Sequence, residues 1–308
     1  MHNHSHSHFG DIANQTTKRL ALSLGITAIF VFVEIVAGIW GNSLALLTDA
    51  AHNFTDVIAL GLSWYALRLS LQPAHAGKTF GYHRAGILVA LVNSTTLVLI
   101  ALGIFYEAYQ RFLNPPEVNT TILIGVGGIA FLINLGTAFL IKKGSEHDLN
   151  LRSAFLHLMG DVLSTLGAVI AGVLILFTNW NWLDPFVSVL IGALILYNAW
   201  GIIKQTIHIL LESTPENVDL PKMVEDIRQV DGVHDIHDLH VWSINENLRM
   251  LSAHVVTNDI SIREGASIQQ NINELLAHGY NIQHATLQLE CEGCHNMLYC
   301  EIKEHSHN

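Results

Sequence analysis

Ala51-His52-Asn53-Phe54-Thr55-Asp56 and Leu156-His157-Leu158-Met159-Gly160-Asp161 each set a histidine and an aspartate four residues apart inside a long apolar run. In a helix, residues four apart share a face. Each run therefore offers one imidazole and one carboxylate to the same neighbourhood, and two such helices side by side would supply two nitrogens and two oxygens. That donor set suits tetrahedral zinc, which accepts both His and Asp. Calcium or magnesium would want six or more oxygens and no imidazole. A lone polar residue in an apolar run is ordinarily satisfied by a neighbouring helix. Four ionisable residues in two matched pairs need another explanation, because an aspartate at the bilayer centre costs about 2.5–3.5 kcal/mol on insertion scales.

The runs around these motifs belong to a series. Crossing the ~30 Å apolar core of a bilayer takes roughly 20 residues of helix. The chain offers six such stretches, at roughly 20–40, 45–68, 85–107, 120–141, 153–178 and 184–204. The first is too long for the core of a signal peptide and lacks a small-residue cleavage site, so it is expected to be retained. The second and fifth are the least apolar because they hold the motif residues, and an ionisable residue inside a span marks function. Lys18, Arg19, Arg68, Lys78, Arg84, Lys142, Lys143, Arg152 and Lys204 fall on one side of this series and only Arg111 on the other. That asymmetry puts both termini in the cytoplasm of a multi-pass protein, on the model of a bacterial inner or plasma membrane.

Composition agrees. Half of the 308 residues are apolar and only 13% are charged, against about 25% in a soluble protein. Residues 1–210 hold ten Lys/Arg and ten Asp/Glu, whereas residues 211–308 hold five and sixteen, so the net charge of −11 sits wholly in the last third. An acidic tail repels phosphate, which disfavours a nucleic-acid partner. Three cysteines cannot build a disulfide framework. The expected organisation is a His-rich cytoplasmic segment over 1–18, a six-helix transmembrane domain with lipid around it over 19–208, and a cytoplasmic domain over 209–308.

In the tail, Leu220, Met223, Val224, Ile227 and Val230 recur with helical spacing. Asp235–Ile244 and Arg249–Thr257 read as strands joined by a turn at Asn245–Asn247. Ile268, Ile272, Leu275 and Leu276 mark a second helix, and Ala285–Glu290 alternates as a third strand. The order α-β-β-α-β predicts an α+β ferredoxin-like domain. Cys291-x-x-Cys294, with His295 beside it, has metal-ligand spacing; redox chemistry uses the same spacing, but a reducing compartment favours zinc over a disulfide. Cys300 is read as a bystander. His2, His4, His6 and His8 either gather metal weakly at the cytoplasmic mouth or form a solvated tail.

Ser43-Leu44-Ala45-Leu46-Leu47-Thr48-Asp49-Ala50-Ala51-His52, Thr79-Phe80-Gly81-Tyr82-His83-Arg84-Ala85, the His157 motif, His237-Asp238-Leu239-His240-Val241-Trp242 and Ala285-Thr286-Leu287-Gln288-Leu289-Glu290 together resemble the cation diffusion facilitator (cation efflux) family. The likeness is to its zinc-transporting ZitB/CzcD/ZnT-like branch and covers nearly the whole chain. It implies six helices, a ferredoxin-like cytoplasmic domain, a homodimer, and export of a divalent cation in exchange for protons. It also implies a transport site at His52, Asp56, His157 and Asp161. His at the first of these positions is similar to zinc-preferring members, with cadmium or cobalt as further passengers. His237, His254 and Glu290 resemble cytoplasmic zinc ligands, though Gln288 stands where some relatives place His. His83 matches a position that joins an interfacial metal site in some members; His75 has less support. His240, three residues along the strand from His237, is expected on the opposite face.

Zinc is thus expected both as the transported substrate and as a structural or regulatory ion, with no organic cofactor. Asp49, one turn before His52, is either an outer or entry carboxylate or a helix-start residue. Glu34 either handles protons or joins helices. Asp184-Pro185 reads as helix punctuation, with Asp capping and Pro at the first helical position. No G-x-x-x-x-G-K-[ST] loop provides for ATP and no H-E-x-x-H for a zinc protease. A zinc enzyme would also need an open metal position, which four protein ligands leave little room for. The expectation is a transporter and not an enzyme; the alternative is a membrane-anchored zinc sensor that binds metal without moving it.

Overall fold

The computed structural model describes residues 25, 28–142, 149–245 and 248–291. The N-terminal histidines, Cys294, His295, Cys300, and Glu246 and Asn247 of the expected turn lie outside the described residues. Contacts divide the chain into two units, residues 1–65 with 92–203, and residues 66–91 with 204–308.

The first unit is helical. It is built from α1 (Ala28–Trp40), most of α2 (Leu44–Ser70) and α3 (Ala85–Leu113), α4 (Thr120–Lys142), α5 (Leu149–Thr178) and most of α6 (Leu183–Leu210). Among the described residues, four stretches are long and apolar enough to cross a bilayer: Ala85–Leu113, Thr120–Phe139, His157–Thr178 and Leu183–Leu210. The described part of α1 is too short, and α2, though 27 residues long, carries Asp49, His52, Asn53 and Asp56. Large apolar side chains such as Leu99, Phe177, Tyr197 and Trp200 face outward. Helices suit a membrane because each satisfies its own backbone hydrogen bonds where no water can.

Inside this unit the apolar residues are small or interlocked. Ala37, Ala45, Leu46, Leu123, Ala168 and Ile175 form one buried cluster, and Leu97, Ile191, Ile195 and Ala199 another. Glycines allow the closest approaches. A Cβ at Gly172 would lie 2.9 Å from Ile124 and 3.0 Å from Leu123. Close backbone approach at small residues is how helices pack where no hydrophobic effect draws them together.

The second unit contains α7 (Leu220–Arg228), β1 (Asp235–Ser243), β2 (Arg249–Thr257), α8 (Ile262–Tyr280) and β3 (Ile282–Cys291). This is the expected order, with a third strand longer than its alternation suggested. Pro near the start and an Asp219 side chain accepting from Lys222 N–H open α7. Ser261 and Glu264 form a capping box on α8, and Asn281 ends it in the left-handed region at φ 54°, a conformation Asn tolerates. The sheet order is β1-β2-β3, with β1 and β2 antiparallel and β2 and β3 parallel. Met223, Ile227, Ile236, Leu251, Val255, Ile272 and Leu276 are buried between the helices and one sheet face. The polar residues of the other face are thereby left free to do chemistry.

Candidate metal centres

The two His-x-x-x-Asp motifs meet. His52 and Asp56 project from α2, and His157 and Asp161 from α5. Asp56 Oδ2 stands 3.1 Å from His157 Nε2 and 3.6 Å from His52 Nε2. Asp161 completes the circle, with Oδ1 3.4 Å from His52 Nε2 and Oδ2 3.8 Å from His157 Nε2. Candidate ligand atoms of His52, His157 and Asp161 all lie within 4.8 Å of one another. Each carboxylate is thus within 4 Å of both imidazoles, while Asp56 stands outside the close group of three. Water reaches the group unevenly. The side chains of His157 and Asp56 are 45% and 30% exposed, those of His52 and Asp161 only 12% and 8%. A cavity of about 170 Å³ opens on it, lined by His52, His157, Asp161, Ser164 and Asn198 among others. Ser164 and Asn198 carried no signal in the sequence, because single polar residues on a span are common.

A second buried polar group lies one turn away. Glu34 of α1 and Asp49 and Asn53 of α2 are 0%, 2% and 7% exposed. The Asn53 amide donates to Asp49 Oδ2 at 3.2 Å and to Glu34 Oε2 at 3.4 Å. Asp49 is therefore buried in the protein interior in the second turn of α2, and Glu34 joins two helices through Asn53. The i,i+4 spacing of Asp49 and Asn53 was the available signal for that amide.

Asp184 does something different from what its sequence context suggests. α6 begins at Leu183, so Asp184 sits within its first turn. Its buried carboxylate accepts from the Ser43 hydroxyl at 2.6 Å, Leu44 N–H at 2.7 Å and Ala45 N–H at 3.3 Å. It caps α2 in place of its own helix, and Arg111 Nη1 stands 3.8 Å from its Oδ2.

In the second unit, His237 and His254 are paired across β1 and β2, and Glu290 reaches them from β3. Glu290 Oε2 is 3.3 Å from His237 Nε2, and its Oε1 is 2.9 Å from His254 Nδ1. Candidate ligand atoms of these three residues also lie within 4.8 Å of one another. Gln288, opposite His254 in the parallel ladder, donates its amide to Glu290 Oε1 at 2.6 Å. Cys291 is exposed at the end of β3 with a free thiol. His240 departs from expectation. A bulge between His237 and His240 pairs His240 with Ser252, two residues from His254 and so on the same face. The alternation rule fails there because the bulge adds one residue to β1. His83, in the connection between α2 and α3, lines a cavity of about 760 Å³ together with His240, Arg84, Glu212 and Trp242. Arg84 Nη2 pairs with Glu212 Oε1 at 2.8 Å there.

Comparisons with known proteins agree along the chain's length. Residues 20–211 match the family description "Cation efflux transmembrane domain" and residues 215–292 match "Cation efflux protein, cytoplasmic domain". A cadmium, cobalt and zinc/H(+)-K(+) antiporter of Bacillus subtilis (strain 168) is 38% identical over 307 residues, covering 98% of this chain and 96% of that one. The metal cation efflux system protein CzcD of Cupriavidus metallidurans is 35% identical over 291 residues, 94% and 90% of the two chains. The zinc transporter ZitB of Escherichia coli (strain K12) is 35% identical over 313 residues, 100% and 99%.

Proposed function

The chain belongs to the cation efflux family, whose members are transporters and not enzymes, and we propose that it exports zinc from the cytoplasm in exchange for protons. Cadmium and cobalt, for which the Bacillus subtilis relative is named, are secondary substrates. The transport site is the tetrahedral set His52, Asp56, His157 and Asp161, held within six membrane spans. The observation that carries this reading is the reciprocal contact of both carboxylates with both imidazoles.

Coupling follows from ligand chemistry. Imidazole and carboxylate bind a metal only when deprotonated, so zinc and protons compete for the same four side chains. A site that opens first to one side and then to the other exchanges one for the other, with histidine as the natural proton carrier near neutral pH. Two imidazoles with two carboxylates favour zinc over ions that prefer oxygen alone. The acidic second unit holds a further zinc at His237, His254 and Glu290 in a structural or regulatory role, with Cys291 and Cys294 as additional candidate ligands and His83 as a candidate at an interfacial site. The protein acts as a homodimer in a plasma membrane, with both termini cytoplasmic.

Zinc accumulation in everted membrane vesicles tests transport itself. The parent is expected to accumulate zinc and His157→Ala to lose nearly all of that flux. A zinc sensor would give no flux in either.

A further inference from the structure

On the reading of His237, His254 and Glu290 as a cytoplasmic metal site, we infer that Asp238 is its positioning carboxylate, holding the His254 ring so that Nδ1 faces the ion. His254 is flanked by a carboxylate at each ring nitrogen. Glu290 Oε1 is 2.9 Å from Nδ1, and Asp238 Oδ2 is 3.4 Å from Nε2. A neutral imidazole has one lone pair and one N–H. The metal takes the lone pair, so the proton resides on the other nitrogen. A carboxylate at that nitrogen fixes the tautomer and makes the ligand more basic. Because Asp238 faces the nitrogen turned away from Glu290, it acts through His254 and is not a further ligand of the same ion.

The backbone supplies a reason for Asp238 to be there. In a regular strand the residue after His237 would point to the opposite face. At Asp238 the chain instead turns left-handed, at φ 48°, inside the bulge that shifts the β1–β2 register between His237 and His240. Asp is among the few residues that visit this region readily. The detour brings its carboxylate round to His254, and the same group lies 3.3 Å from His240 Nε2. At 28% exposure the Asp238 side chain is partly withdrawn from water, a setting in which a carboxylate attracts an imidazole N–H more strongly than in bulk solvent.

The test uses the full chain in detergent, titrated with Zn2+ alone in competition with a chromophoric chelator. Glu290→Gln and His254→Ala are expected to abolish one class of zinc sites. If they leave zinc binding unchanged, the cytoplasmic site itself is wrong. Asp238→Gly, which suits the left-handed backbone, is expected to weaken that same class by about 10–100-fold while sparing the other class. Asp238→Asn keeps both the backbone and an oxygen acceptor and is expected to lose less. Nitrogen NMR of the zinc-loaded chain supplies the readout that a purely structural role would not move. His254 should be metal-bound at Nδ1 and protonated at Nε2 in the parent, with that tautomer less populated in both Asp238 variants. Should the glycine variant melt early without metal, the asparagine variant decides by the same two readings. Parent affinity and parent tautomer in the Asp238 variants, with the class still lost in Glu290→Gln, would overturn the inference and leave the site standing.

Discussion

The Asp184 carboxylate accepts the Ser43 hydroxyl at 2.6 Å across 141 residues of sequence, tying the first turn of α6 to the N-terminus of α2. That N-terminus begins the helix that presents His52 and Asp56, so a cap at one end fixes two candidate ligands two to three turns further on. An α-helix leaves its first N–H groups without internal partners, and Asp184 satisfies two of them, those of Leu44 and Ala45. Arg111 holds the turn from the other side by donating to Asn42 O at 2.7 Å.

Truncating that cap strands buried donors. Asp184→Ala is expected to destabilise the membrane unit by about 2 kcal/mol and to lower zinc flux, and Asp184→Asn to recover part of both. Thermal unfolding in detergent, with flux measured on the same preparations, checks this. Parent stability in the alanine variant would contradict the cap.

Exchanging a ligand should change the choice of metal. His52→Asp replaces an imidazole by a carboxylate, and carboxylates favour manganese and similar ions where imidazole suits zinc. The variant is expected to retain transport while its zinc preference over manganese narrows. Competition fluxes with the two ions measure this, and an unchanged ratio would remove His52 from the selective site.

Gly172 sets two opposing effects against each other. Replacing a helical glycine by alanine gains about 1 kcal/mol of propensity. Here the added carbon would stand 2.9 Å from Ile124 and 3.0 Å from Leu123. Gly172→Ala is therefore expected to stay close to the parent. Gly172→Leu cannot be accommodated without moving α4 from α5, and overpacking of this kind costs about 1–3 kcal/mol. Thermal midpoints of the two variants should separate clearly.

In the second unit, burial and a 2.5 Å hydrogen bond from its hydroxyl to Asp226 Oδ2 push the Tyr280 phenol up to about 12. An unfolded tyrosine titrates near 10. A raised folded value favours the protonated phenol, so the stability it adds is fully present below about pH 10 and is lost as pH rises through about 12. An ultraviolet titration of Tyr280→Phe against the parent should lose one late-ionising phenol. The parent should also lose its stability advantage over the variant between those two pH values.

Much of this was legible in the sequence. The i,i+4 motifs brought forward His52, Asp56, His157 and Asp161, which the structure places near one another, because helical periodicity turns spacing directly into a shared face. The α-β-β-α-β order was legible for the same reason, from periods of 3.6 and 2. Partnerships made at long range were not. Asp184 looks like the cap of its own helix because the sequence shows only its neighbours, and its true partners are about 140 residues away. The bulge at Asp238 breaks the alternation that placed His240 on the wrong face, and one inserted residue in a strand leaves no compositional trace. Asn53 was hidden by its ordinariness, since an amide on a span becomes informative only when two buried carboxylates converge on it.

The most direct test of the account follows zinc and protons together. The full chain is reconstituted into vesicles with an imposed pH gradient, and internal zinc and internal pH are recorded simultaneously for the parent and for Asp161→Ala. Zinc is expected to enter as protons leave in the parent, and both movements are expected to vanish in the variant. Zinc entry without counter-movement of protons, or undiminished entry in Asp161→Ala, would contradict it.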